Sequence, residues 1–121
     1  MRAAGGRMDF GEEAAVAEPS QRMTRLQAML EKQPNDPFLL YSLGMEYKNA
    51  GDAARALEWF DRTLRADPNY CYAYFQRGQT LESTGDAEAA KRAYRDGIEA
   101  AKQSGDEHAR SELQGALEMI D

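Results

Sequence analysis

The segment from Leu40 to Pro68 recurs 34 residues further along the chain, and a period of that length leaves few folds open. The first copy reads Leu40-x2-Leu43-Gly44-x2-Tyr47, then Ala56-x3-Phe60, then Pro68. The second reads Tyr74-x2-Arg77-Gly78-x2-Leu81, then Ala90-x3-Tyr94. Gly51-Asp52 punctuates one copy and Gly85-Asp86 the other. A unit this short cannot bury its apolar face alone, so self-similarity at a fixed period implies stacked neighbours that share one core.

The rest of the chain reads as helices around these two copies. Ser20 can cap a helix over 20–32, whose apolar face is Met23, Leu26, Met29 and Leu30. Pro34 ends it, and Pro34 lies 34 residues before Pro68. Residues 19–36 therefore read as a half repeat that lacks its first helix. The first full repeat spans 37–70, with helices over 37–50 and 53–66. Asp36 caps it, and Pro37 takes the first helical position, where its missing N–H costs nothing. Gly51 supplies a left-handed helix end, and Asp52 caps the next helix. The second repeat spans 71–104, with helices over 70–84 and 87–103. Lys102 stands where Pro68 stood, so its last helix runs on to Gly105. Residues 105–121 read as a capping helix over 107–120, with Ala109, Leu113, Ala116, Leu117 and Ile120 inward. Its other face, Glu107, Arg110, Ser111, Gln114 and Glu118, is the polar end that a repeat array requires. Residues 1–18 carry Gly, Ala and charge and read as a disordered tail, with Met8 an alternative start to Met1. The expectation is an all-α fold of six helices.

Small residues sit where helices must cross closely. Gly44 and Gly78 let backbones approach, which offsets the roughly 1 kcal/mol that glycine costs inside a helix. Ala56, Ala90, Thr63 and Gly97 are small for the same reason. Leu40, Leu43, Tyr47, Leu57, Phe60 and Leu64 are expected to fill one core, and Tyr74, Leu81, Ala93, Tyr94 and Ile98 the other. Arg77 breaks the pattern, since an aliphatic residue is expected before the glycine. Two roles are open: its head reaches an acidic neighbour or water while its stem packs, or it holds an anionic group of a ligand.

These residues resemble the tetratricopeptide repeat, whose signature runs W-x2-L-G-x2-Y…A-x3-F…P, and in particular its small bacterial-type members. The resemblance implies a right-handed α-solenoid of antiparallel helix pairs, used as a peptide-binding scaffold. It also implies a concave face lined by the first helix of each pair. Carried onto this chain, that face holds Phe38, Tyr41, Met45, Lys48 and Asn49, then Tyr72, Phe75, Gln79, Glu82 and Ser83. Phe38, Tyr72 and Phe75 either pad the seams between helices or form an interaction strip. They lie off the face filled by Leu40, Leu43, Tyr47, Tyr74 and Leu81. The subclass that clamps the acidic C-termini of chaperones needs Lys and Asn where this chain has Tyr41, Met45 and Gln76. Phe75 and Gln79 replace them in the second repeat, so that ligand is not expected. The resemblance supports a cytoplasmic adaptor or assembly factor that takes a protein or peptide ligand, with chaperones of secreted hydrophobic proteins as a variant. The alternative is a structural segment that self-associates through its terminal helices, which leaves a homo-oligomer open.

Composition removes other classes. The chain has 121 residues and a net charge of −6, with its Lys and Arg scattered among acids, which disfavours nucleic acid. No apolar run approaches the roughly 20 residues of a membrane span. The first ten residues lack the apolar core of a secretory signal. Cys71 and His108 are the only cysteine and histidine, too few for a structural zinc site. Cys71 reads as a packed or half-exposed structural thiol, and His108 as a surface or capping residue near a helix start. No catalytic constellation, phosphate loop or cofactor motif is present, so no enzyme, metal or cofactor is expected.

Overall fold

The computed structural model describes residues 20–120, so the tail expected over 1–18 lies outside the described residues. Among the described residues six helices run in order: α1 Gln21–Lys32, α2 Pro37–Asn49, α3 Ala53–Ala66, α4 Cys71–Ser83, α5 Ala87–Ser104 and α6 Glu107–Ile120. Each start carries the expected cap except that of α4. Ser20, Asp36, Asp52, Asp86 and Asp106 accept from the backbone N–H of Met23, Phe38, Arg55, Ala89 and Ala109. The three Gly-Asp turns share one geometry. Gly51, Gly85 and Gly105 have φ of 81°, 85° and 73°. The next residue, Asp52, Asp86 or Asp106, donates its N–H to the carbonyl of Tyr47, Leu81 or Ala101. A left-handed residue there satisfies helix-end carbonyls and reverses the chain.

Consecutive helices pack as antiparallel neighbours, giving an all-α solenoid. In addition α2 touches α4 and α4 touches α6, whereas the odd-numbered helices keep their backbones apart. The even-numbered row is therefore the short inner arc, and its surface is the concave one.

Two apolar clusters hold the stack. Met23 and Leu26 of α1 meet Leu39 and Leu43 of α2, with Leu30, Tyr47 and Trp59 against them. The larger cluster joins Leu81, Ala93, Tyr94 and Ile98 to Ala109 and Leu113 of α6. The structure corrects several expectations. Leu39, not foreseen, is 2% exposed, because α1 covers the seam beside it. Tyr47, Leu57 and Leu64 are only half-buried. Met29 is 51% exposed, since α1 turns Met23, Leu26 and Leu30 onto its neighbours and Met29 points away from them. The close approach at the helical glycines is also of another kind. A Cβ on Gly44 would lie 2.5 Å from Cε1 of Phe60, and one on Gly78 would lie 2.6 Å from Cζ of Tyr94. A ring rather than a backbone occupies the space that each glycine leaves.

Candidate functional site

The inner arc is built from α2, α4 and α6, and the structure sorts the expected groove residues into distinct roles. Phe38 stands at the start of α2 and is 61% exposed. Tyr41, one turn on, is half-buried, with its ring 5.9 Å from Phe60 and 5.0 Å from Tyr70. Phe75 packs against the larger cluster, 6.2 Å from the Tyr94 ring, and Tyr72 lies against the same cluster. Tyr41, Tyr72 and Phe75 thus brace the fold while showing part of each ring to solvent, which agrees with the seam-padding alternative for Tyr72 and Phe75. Met45 is half-buried, and Asn49, Gln79, Glu82 and Ser83 are exposed.

Lys48 does not project freely from the groove's lower edge. It crosses from α2 to α4, where its ammonium donates to Oε1 of Gln76 at 2.5 Å and to Oε1 of Gln79 at 3.1 Å. Burial pushes its pKa down. Gln76 also lies beside the Tyr41 hydroxyl, whose pKa burial raises. Lys48, Gln79, Glu82 and Ser83 line an open depression of about 460 Å³. Glu82 is itself engaged, because the Tyr94 hydroxyl donates to its carboxylate. That bond and burial together raise the Tyr94 pKa strongly.

Sequence reasoning missed Gln76 as a partner of Lys48, and it missed the contribution of α6 to this surface. Glu112 of α6 lies near the Tyr72 hydroxyl and, after burial, helps raise its pKa. The available signal was the Gly105-Asp106 dipeptide, which repeats the Gly-Asp punctuation and marks α6 as a further helix of the array. Aligned from their first residues, α2, α4 and α6 bury Leu39, Ala73 and Ala109 at the same place. Arg77 takes the first of its two roles: its Nε donates to Asp61 Oδ1 at 2.7 Å. Cys71 is buried with its thiol pKa raised by burial, and its Sγ donates to the Asn69 carbonyl at 3.3 Å. His108 is exposed and lies 3.3 Å from Glu112. Among the described residues no cluster of His, Cys, Asp or Glu could hold a metal ion, and no helix is long and apolar enough to cross a membrane.

The outer face has a different character. Arg55 lies over Tyr47 at 5.8 Å, Tyr47 stacks on Trp59 at 6.4 Å, and Arg62 covers Trp59 at 4.3 Å. This ladder clamps α3 to the end of α2.

Known proteins carry the same pattern. Two tetratricopeptide repeat profiles match residues 39–70 and 59–92. A TPR repeat-containing protein of Pseudomonas aeruginosa is 33% identical over 96 residues, which cover 79% of this chain and 91% of that one. This chain belongs to the tetratricopeptide repeat family. The second profile begins at Trp59, inside α3, and so reads the array in a shifted register. Such a shift is natural where each helix packs alike on the one before and the one after. Among solved members, a tetratricopeptide repeat domain protein from Salinibacter ruber is 34% identical with a TM-score of 0.69, over 73% of this chain and 89% of that one. A protein from Bordetella parapertussis is 32% identical with a TM-score of 0.73, over 84% and 88%. PcrH, solved in complex with the chaperone-binding region of PopD, shares the fold at 16% identity and a TM-score of 0.77, over 91% and 84%.

Proposed function

We propose that this tetratricopeptide repeat protein is an interaction module, a small cytoplasmic adaptor or assembly factor that holds an apolar peptide or helix of another protein on its inner arc. The observation that carries the reading is Phe38, a large aromatic left 61% exposed at the mouth of the arc. Behind it Tyr41, Met45, Tyr72 and Phe75 are half-buried, so an apolar strip continues inward. Exposed contiguous apolar surface marks interaction sites, and rigid aromatics anchor them. Residues 19–36, 37–70, 71–104 and 105–121 are the units of the array in this reading. The fold supports it too, since PcrH is solved with a region of PopD.

The test is capture of a partner from lysate, its identification by mass spectrometry, and its affinity for a Phe38→Ala, Met45→Ala variant. Neither side chain is fully buried, so helicity stays as in wild type. A loss of affinity of tenfold or more supports the inner arc, and unchanged affinity moves the site elsewhere. Self-association through the terminal helices is the second reading, favoured by Met119, 88% exposed on α6. Sedimentation that stays monomeric up to high concentration sinks it.

A further inference from the structure

We infer that Lys48 is the specificity residue of this arc, and that the bound segment carries one side-chain carboxylate among apolar residues. The inference rests on the inner arc as the binding site, and it names the chemistry read there. A half-buried ammonium costs free energy unless an opposite charge or good acceptors compensate it. The protein gives Lys48 two neutral amide oxygens, from Gln76 and Gln79, and among the described residues no carboxylate pairs with it. Glu82, which lines the same depression, accepts from the Tyr94 hydroxyl and makes no ion pair with Lys48. The ammonium is thus aimed and held by amide oxygens, with no carboxylate in salt-bridge contact among the described residues. A carboxylate arriving from a ligand supplies the missing charge at an oriented donor, and such charge-assisted bonds exceed neutral ones in strength.

The surroundings set what else the ligand brings. Tyr41 stands beside Gln76 on one side, and Phe75 follows along α4. Residues flanking the acid therefore meet ring faces. A single internal Asp or Glu fits better than a free C-terminus or an acidic run. Among the described residues that line the depression, Lys48 is the one cation and Glu82 the one acid. A second negative charge would face that carboxylate rather than a partner.

The experiment uses random dodecapeptides displayed on phage, selected in parallel on the full chain and on Lys48→Met. The expected wild-type pool is apolar with one Asp or Glu at a fixed place, and the Lys48→Met pool lacks that acid. One selected peptide is then synthesised with Glu or Gln at that place, and with a free or amidated C-terminus. Fluorescence anisotropy is expected to show about tenfold weaker binding for the Gln peptide on wild type, and little difference on Lys48→Met. Lys48→Arg keeps the preference, which separates lost charge from lost packing. Amidation leaves the affinity unchanged. Pools with the same acid on both proteins, or with none on wild type, overturn the inference while leaving the arc as the site. A strong effect of amidation overturns the internal carboxylate. No enriched pool on either protein removes the arc itself.

Discussion

At Gly44 one methyl group separates a packed ring from a clash. The Phe60 ring fills the place where a side chain would be, so even alanine must push it aside. Gly44→Ala is expected to cost about 1–3 kcal/mol, since overpacking forces side chains off their rotamers. Gly105→Ala meets open space but keeps a φ of 73°, and it is expected to cost roughly 1 kcal/mol for the left-handed backbone alone. Gly115 lies inside α6 with no neighbour near its missing Cβ, so Gly115→Ala is expected to stabilise by up to about 1 kcal/mol. Urea denaturation of the three variants checks the order. Arg77 obeys another rule. Its partner Asp61 is 44% exposed, and the pair keeps contact with water. Asp61→Ala is therefore expected to cost less than about 1 kcal/mol. A larger loss in the same assay would mean that the guanidinium is far less solvated than its position suggests. That Arg77 breaks the repeat pattern was plain from its sequence position. That the acid lies sixteen places earlier, on α3, was not, because it depends on how α3 packs on α4.

Among the elements, α1 is the one whose role most depends on its neighbours. It has no partner helix of its own pair among the described residues, yet it shields Leu39 and Leu43. A chain starting at Pro34 is expected to melt well below one starting at Pro19. Burying Met23 and Leu26 contributes about 1.5–3 kcal/mol each, and the uncovered leucines add to the loss. Equal melting temperatures would show that α1 is dispensable. Helix α6 was legible as a further amphipathic helix, and Gln114 stands where Gly44 and Gly78 stand in α2 and α4 when the helices are aligned from their first residues. Its share in the inner arc was not legible, because α5 runs longer and moves α6 out of the 34-residue register.

For the molecule as a whole, tyrosines are the most numerous of the groups whose pKa burial shifts, beside Cys71 and Lys48. Tyr41, Tyr70, Tyr72, Tyr74 and Tyr94 are all pushed above their ordinary value of 10, chiefly by burial. A folded pKa above the unfolded one means that the folded state binds protons more tightly. This contribution is complete below pH 10 and is lost as the pH climbs through the raised values. The urea midpoint is therefore expected to hold from pH 7 to 9 and to fall above about 10, with a shallower fall in Tyr94→Phe. An alkaline limb as steep in Tyr94→Phe as in wild type would remove Tyr94 as its main source. The capping aspartates and the three left-handed glycines act within a turn of themselves, and the 34-residue period is written in the order of residues, so the sequence by itself determined the helices, their turns and the family. What the inner arc presents depends on which side chains meet across helices 28 or more residues apart, such as Lys48 with Gln76 and Gln79. Periodicity says which face of a helix turns inward. Only the packed stack decides that Tyr41 and Phe75 are braced by rings behind them, that Glu82 is held by a phenol, and that Lys48 is held by two amide oxygens.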